Sequence, residues 1–153
     1  TGAIGYALDN KKEDNLMLLF ILIGNFIGCL FMVGLISLTR INDTITVKAL
    51  SLTDTKLNDT WYSVFILSIG CGILIFLGVD TFKKSANNVS KVIALLFCVF
   101  VFIISSYEHC IANMFYIMAS KTWSFEAALY VLIMVIGNSV GGLLIPGLKK
   151  LIK

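Results

Sequence analysis

Val92 to Ser120 reads VIALLFCVFVFIISSYEHCIANMFYIMAS, 29 residues that are apolar at both ends and broken in the middle by Ser105-Ser-Tyr-Glu-His109. Its length and apolar flanks are those of a segment that crosses hydrocarbon, which takes about 20 residues of helix. Glu108 and His109 then fall about halfway through the bilayer. A charged side chain there costs about 3 kcal/mol on insertion scales and normally faces a cavity or a partner. The stretch therefore predicts a transmembrane helix with a functional break.

The rest of the chain supports the membrane setting. Leu16–Leu38, Trp61–Val79 and Ala127–Leu148 are charge-free runs of 23, 19 and 22 residues. With 58% hydrophobic residues, 14% charged residues and a mean hydropathy of +0.93, 153 residues cannot enclose this apolar surface as a soluble globule. A signal peptide would be single and N-terminal, so four long segments spread over the chain are spans. The basic residues alternate accordingly. Lys11, Lys12, Lys83, Lys84, Lys91, Lys149, Lys150 and Lys153 lie on one side, against Arg40, Lys48, Lys56 and Lys121 on the other. Eight against four places the richer side, and with it the C-terminus, in the cytoplasm.

A motif recurs. Gly24-Asn-Phe-Ile-Gly28 and Gly137-Asn-Ser-Val-Gly141 each lie inside a span. Glycines at i and i+4 share a helix face and admit a neighbouring backbone, and Asn25 or Asn138 can hydrogen-bond across that contact. Three reversals of direction separate the copies, so they run oppositely through the membrane, as in an inverted repeat. A repeat of this size predicts six spans in an intact subunit, about four and a half of them here. Thr1–Leu8 then reads as the second half of a helix that begins upstream, and residues 1–153 as a single, N-terminally incomplete transmembrane domain. Both repeats would carry a broken helix, the usual mark of a transport site.

Chemistry narrows the function. His109 can donate a hydrogen bond as a neutral ring or hold an anion as a cation. Thr1, Ser105 and Asn113 add donors, and broken-helix N-termini favour anions. Lys56, in Asp54-Thr-Lys-Leu-Asn-Asp59 ahead of the Trp61 span, reads either as a snorkelling interfacial lysine or as a positive lure at a pore mouth. No nucleophile or second base accompanies His109, which argues against an enzyme. Cys29, Cys71, Cys98 and Cys110 lie in apolar segments without a C-x-x-C pair and read as packing residues; with one histidine in the chain, no metal site and no cofactor are expected. Basic residues flank spans without aromatic interleaving, so nucleic acid is not an expected partner. The competing reading is a membrane anchor or electron-transfer subunit in which His109 ligates haem or merely packs.

Tyr107-Glu-His-Cys-Ile-Ala-Asn-Met-Phe115 resembles the E-H-x-x-x-N-M-[FY] signature of the formate/nitrite transporter family, and the paired G-N-x-x-G helices match in kind and order. The resemblance covers essentially the whole chain. It implies an aquaporin-like, all-α inverted-repeat bundle assembled as a homopentamer in the cytoplasmic membrane, each subunit with its own pore for small monovalent anions. Formate and nitrite lead the expected cargo, with hydrosulfide behind them. It also implies roles for single residues: Thr1 in the loop of the first broken helix, Phe102 at a constriction, Lys56 in the vestibule, Glu108 and His109 at the centre, and Asn113 along the pore. Gly72, where close formate-channel relatives carry asparagine, and Cys110, in place of a frequent serine, depart from the pattern.

Overall fold

The computed structural model describes residues 2–8 and 12–152, with side chains from Asn15 onward in the first long helix. Thr1, and with it the expected donor at that position, lies outside the described residues. A short 3-10 helix, Gly2–Tyr6, precedes six α-helices: α1 (Lys12–Ser37), α2 (Asn42–Leu57), α3 (Trp61–Lys84), α4 (Asn88–Ile104), α5 (Cys110–Ala119) and α6 (Phe125–Leu151). No strand occurs among the described residues. Three of these helices, over Asn15–Ser37, Trp61–Lys84 and Phe125–Leu151, are long and apolar enough to cross a membrane. The fourth expected crossing is divided between the shorter apolar helices α4 and α5.

The ends of these helices are written in side chains. Asn87 Oδ1 accepts from the Val89 and Ser90 N–H groups at the start of α4, and Ser124 Oγ accepts from Ala127 N–H at the start of α6. Between α4 and α5 the chain turns through Ser106, whose φ of 54° is left-handed and stops the helix. Tyr107 N–H bonds back to the Phe102 carbonyl, and Glu108 N–H reaches the Leu67 carbonyl on α3. The Tyr107 ring lies over Gly70, where any side chain would collide with it.

The centre of the molecule is the α3/α6 contact. A Cβ at Gly141 would meet the Ile69 carbonyl, one at Gly137 the Phe65 carbonyl, and one at Gly72 the backbone of Asn138. Small residues on both helices thus let the two backbones approach. The first G-N-x-x-G is used differently. A Cβ at Gly24 or Gly28 would meet nothing within 4 Å, and Asn25 Nδ2 donates only to the Ile21 carbonyl of its own helix. Gly137, Asn138 and Gly141 thus lie at the α3/α6 contact, and Gly24, Asn25 and Gly28 line an open groove on α1.

Two further elements differ from expectation. Gly2–Tyr6, part of the expected Thr1–Leu8 helix, is 3-10 rather than α-helical, and Gly2 sits against Ile75 and Val79, and Gly5 against Phe76, closer than side chains would permit. The connection before α3 is itself a 16-residue helix, α2, which buries Ala49 and Thr53 on one side. Its mixed polar sequence carries no strong helical period, which hid it. Its effect is to place Lys56 in a helical last turn instead of a loop.

Candidate functional site

The polar groups of the α4/α5 break are held from three sides. Asn138, on α6, donates through Nδ2 to the carbonyls of Ser68 (2.8 Å) and Glu108 (2.7 Å), and its Oδ1 accepts from Cys110 N–H at 2.9 Å. One buried amide thus ties α3, the break and the first N–H of α5 together. The sequence pattern marked Asn138 as a packing residue; its hydrogen bonds make it the clamp of the broken helix.

Glu108 is 4% exposed and is fully engaged. Lys56 Nζ donates to both its oxygens at 2.8 and 2.7 Å, and Asn113 Nδ2 donates to Oε2 at 2.7 Å. Asn113 Nδ2 also reaches the His109 carbonyl at 3.1 Å, while its Oδ1 is buried without a protein partner. That orphaned acceptor asks for a donor such as water. The residues Lys56, Glu108 and Asn113, spread over 58 positions, form one network.

Lys56 is brought here by its neighbours. Asp59 accepts from Ser63 Oγ through its carboxylate and from Tyr130 O–H through its carbonyl, both at 2.6 Å, which fixes the turn between α2 and α3. Thr53, one turn earlier on α2, receives the Ser120 hydroxyl at 3.3 Å at the far end of α5. The Lys56 ammonium is 16% exposed and paired with Glu108, as a charge at this depth needs a counter-charge.

His109 stands at the head of α5, where its Nδ1 accepts from Ala112 N–H at 3.2 Å. The neutral ring then carries its proton on Nε2, free to meet another acceptor. The ring stacks on Phe102, with centroids 5.6 Å apart and planes at 20°. Beside it Gly72, Ile75 and Asn138 line a void of about 10 Å³, room for about one water. Among the described residues no cluster of His, Cys, Asp or Glu could hold a metal, and the four cysteines are free thiols.

Apolar helices surrounding a satisfied ion pair and a histidine at a helix break are the construction of a membrane channel or transporter, since such groups at that depth mark a passage. Comparison with known proteins gives the same class. The formate/nitrite transporter family model matches residues 13–152. The chain belongs to the formate/nitrite transporter family. It is 29% identical over 99 residues to the formate channel FocA of Haemophilus influenzae, covering 62% of this chain and 35% of that protein. It is also 32% identical over 88 residues to a probable formate transporter of Methanothermobacter thermautotrophicus, covering 54% of this chain and 32% of that one. The chain thus spans about a third of the length of these relatives. Among solved structures, a pentameric formate channel with formate bound superposes with a TM-score of 0.67 at 25% identity, over 84% of this chain and 60% of that one.

Proposed function

We propose that this chain forms the pore-bearing part of a channel that passes small monovalent anions, formate or nitrite first and hydrosulfide next, across the cytoplasmic membrane. The observation that carries the reading is the Lys56–Glu108–Asn113 network seated beside His109 at the α4/α5 break. An anion entering from the Lys56 side meets an ammonium already balanced by a carboxylate. It then reaches the Nε2–H of His109, which replaces part of the lost hydration, with Phe102 packed against that ring as the narrowing of the path. Thr1, which the family resemblance puts on the pathway, would supply a further donor.

The titration of His109 makes passage pH-sensitive. A proton added at Nδ1 removes the acceptor that caps Ala112 N–H, so protonation is felt at the start of α5 as well as by the anion. The side rich in Lys84, Lys149 and Lys150 is assigned to the cytoplasm by its charge. The working assembly is a homopentamer, by similarity to the pentameric formate channel that superposes on this chain. The test is formate uptake by liposomes containing the full-length protein, with nitrite, hydrosulfide and lactate as comparisons. Uptake of formate or nitrite well above empty liposomes is expected; no uptake of any of them overturns the reading.

A further inference from the structure

A second ionic cluster lies at the opposite end of α3 from Lys56, where it fastens the 3-10 helix Gly2–Tyr6. Asp80, 9% exposed near the end of α3, accepts from Tyr6 O–H at 3.0 Å and from Lys84 Nζ at 2.7 Å, with Lys149 Nζ of α6 at 3.7 Å. One carboxylate thus joins the 3-10 helix, α3 and α6. The Tyr6 ring packs on Phe76, with centroids 5.8 Å apart, and carries Lys83 Nζ 4.0 Å from its centroid. Just beyond, Lys150 Nζ donates to the Leu8 carbonyl at 2.7 Å. The charges here meet partners within the chain, so the cluster is a fastening and not an anion site.

Its members are unequal. Lys84 and Lys149 are 64% and 59% exposed, and ion pairs so open to water hold little. The Tyr6 hydroxyl on a nearly buried carboxylate is the strong bond. It is also the directional one, since Gly2, Ala3, Ile4 and Gly5 have no polar side chain. A five-residue 3-10 helix has little stability of its own, so its place is set by what it is fastened to.

The fastened helix borders the candidate path. A Cβ at Gly2 would meet the Val79 side chain and the Ile75 carbonyl, and one at Gly5 the Phe76 ring and the Gly142 carbonyl. The Ile4 side chain in turn lies against Gly142 of α6. Ile75 lines the void of about 10 Å³ beside His109, and Asp80 stands five residues further along α3, about 7.5 Å of helix. Ile4 lines a separate cavity of 240 Å³ that also touches Cys110 and Asn138. Asn138 borders both spaces.

We propose, resting on the conduction reading above, that Asp80 is a positioning residue for anion passage: through Tyr6 it holds the 3-10 helix, and that helix sets the width of the two spaces that Asn138 borders. Freed from Asp80, the helix yields and the spaces widen. Discrimination by size then falls before conduction does.

The experiment compares formate and lactate uptake by liposomes containing the full-length parent, Tyr6→Phe, Asp80→Asn and the double variant. Losing one charge-assisted hydrogen bond should lower the formate-to-lactate ratio about tenfold in each single variant. Both act on the same bond, so the double variant should fall no further. Asp43→Asn, which removes an exposed carboxylate from α2, should keep the parental ratio. Amide exchange over residues 2–8 should quicken in Tyr6→Phe by a similar factor. An unchanged ratio in Tyr6→Phe, which loses only a hydroxyl, overturns the assignment even if Asp80→Asn fails to fold. So does unaltered amide exchange, and so does a double variant that falls about a hundredfold, because the two groups would then act independently. A merely structural Asp80 would lower both fluxes together and leave their ratio alone, which also overturns it. With a parent that takes up none of the anions named above, the conduction reading and the role of Asp80 fall together; with a conducting parent and an unmoved ratio, only the role of Asp80 falls.

Discussion

Replacing Lys56 by methionine tests the network at its weakest assumption. In the parent, the Glu108 carboxylate has three short donors, two of them from Lys56. Lys56→Met leaves it buried with Asn113 alone. Removing one partner of a buried ion pair costs 3–5 kcal/mol as a rule, and the residual 16% exposure of Lys56 puts the expectation at about 3 kcal/mol. That is a factor of about 150 in the folded-to-unfolded ratio. Glutamine at 108 keeps an oxygen for Asn113 and removes the charge. Lys56→Met/Glu108→Gln should therefore return to within about 1 kcal/mol of the parent, about 2 kcal/mol more stable than Lys56→Met alone.

The assay is reversible unfolding in mixed micelles for the four members of the cycle, with formate flux measured in parallel. The salt dependence of flux separates this reading from a simple lure. An exposed attracting charge loses its effect as ionic strength shortens the screening length to about 10 Å at 0.1 M, whereas a buried pair is screened much less. The flux deficit of Lys56→Met should thus be nearly the same in dilute and concentrated buffer. A deficit confined to dilute buffer, or a double variant no more stable than the single one, refutes the ion-pair argument.

Three further outcomes follow from the geometry. Asn138→Leu strands the Ser68 and Glu108 carbonyls and Cys110 N–H, each at a cost of about 1–3 kcal/mol, so formate flux should vanish and the buried Cys110 should become reactive toward a thiol reagent; continued protection of Cys110 would show that Asn138 is not the clamp. Gly141→Ala should destabilise by about 2 kcal/mol because its methyl meets the Ile69 carbonyl, whereas Gly24→Ala, whose methyl meets nothing in this chain, should be neutral or slightly stabilising; equal effects in unfolding titrations would contradict the asymmetry of the two motifs. His109→Asn, which cannot titrate between about pH 5 and 8, should keep partial formate flux with a flattened pH profile, and His109→Phe should lose flux at every pH; a His109→Phe channel with the parental profile would reduce His109 to packing.

Much of this architecture is legible in the sequence because hydrocarbon is a demanding solvent. Charge-free runs gave three helices within a few residues, and Glu108-His109 in mid-span forced the break that Ser106 executes. The helix α2 escaped notice since it is held by packing on α5, with Ala49 and Thr53 buried, a tertiary contact with no clear period in Asn42–Leu57. Lys56 was visible as a candidate, but its partner 52 residues away was not, as pairing across helices leaves no local trace. Asp80 escaped for a related reason: a single carboxylate next to lysines at a span's end reads as ordinary interfacial charge until Tyr6 is placed beside it.

The pairing of Lys56 also bears on how an anion path can work at this depth. A bare ammonium in a low-dielectric vestibule would attract anions strongly, and it would hold them for the same reason. Conduction needs a site that is favourable to enter and weak enough to leave. With Glu108 bound at both oxygens, the pair is neutral overall, and its field falls off as a dipole's rather than a charge's. On the proposed path the next group is a single donor, His109 Nε2–H, held in orientation by the Ala112 cap and the Phe102 ring. Both interactions are short-ranged and moderate. On the proposed reading, the arrangement trades depth of binding for rate of release, which suits passage of a small anion better than its capture.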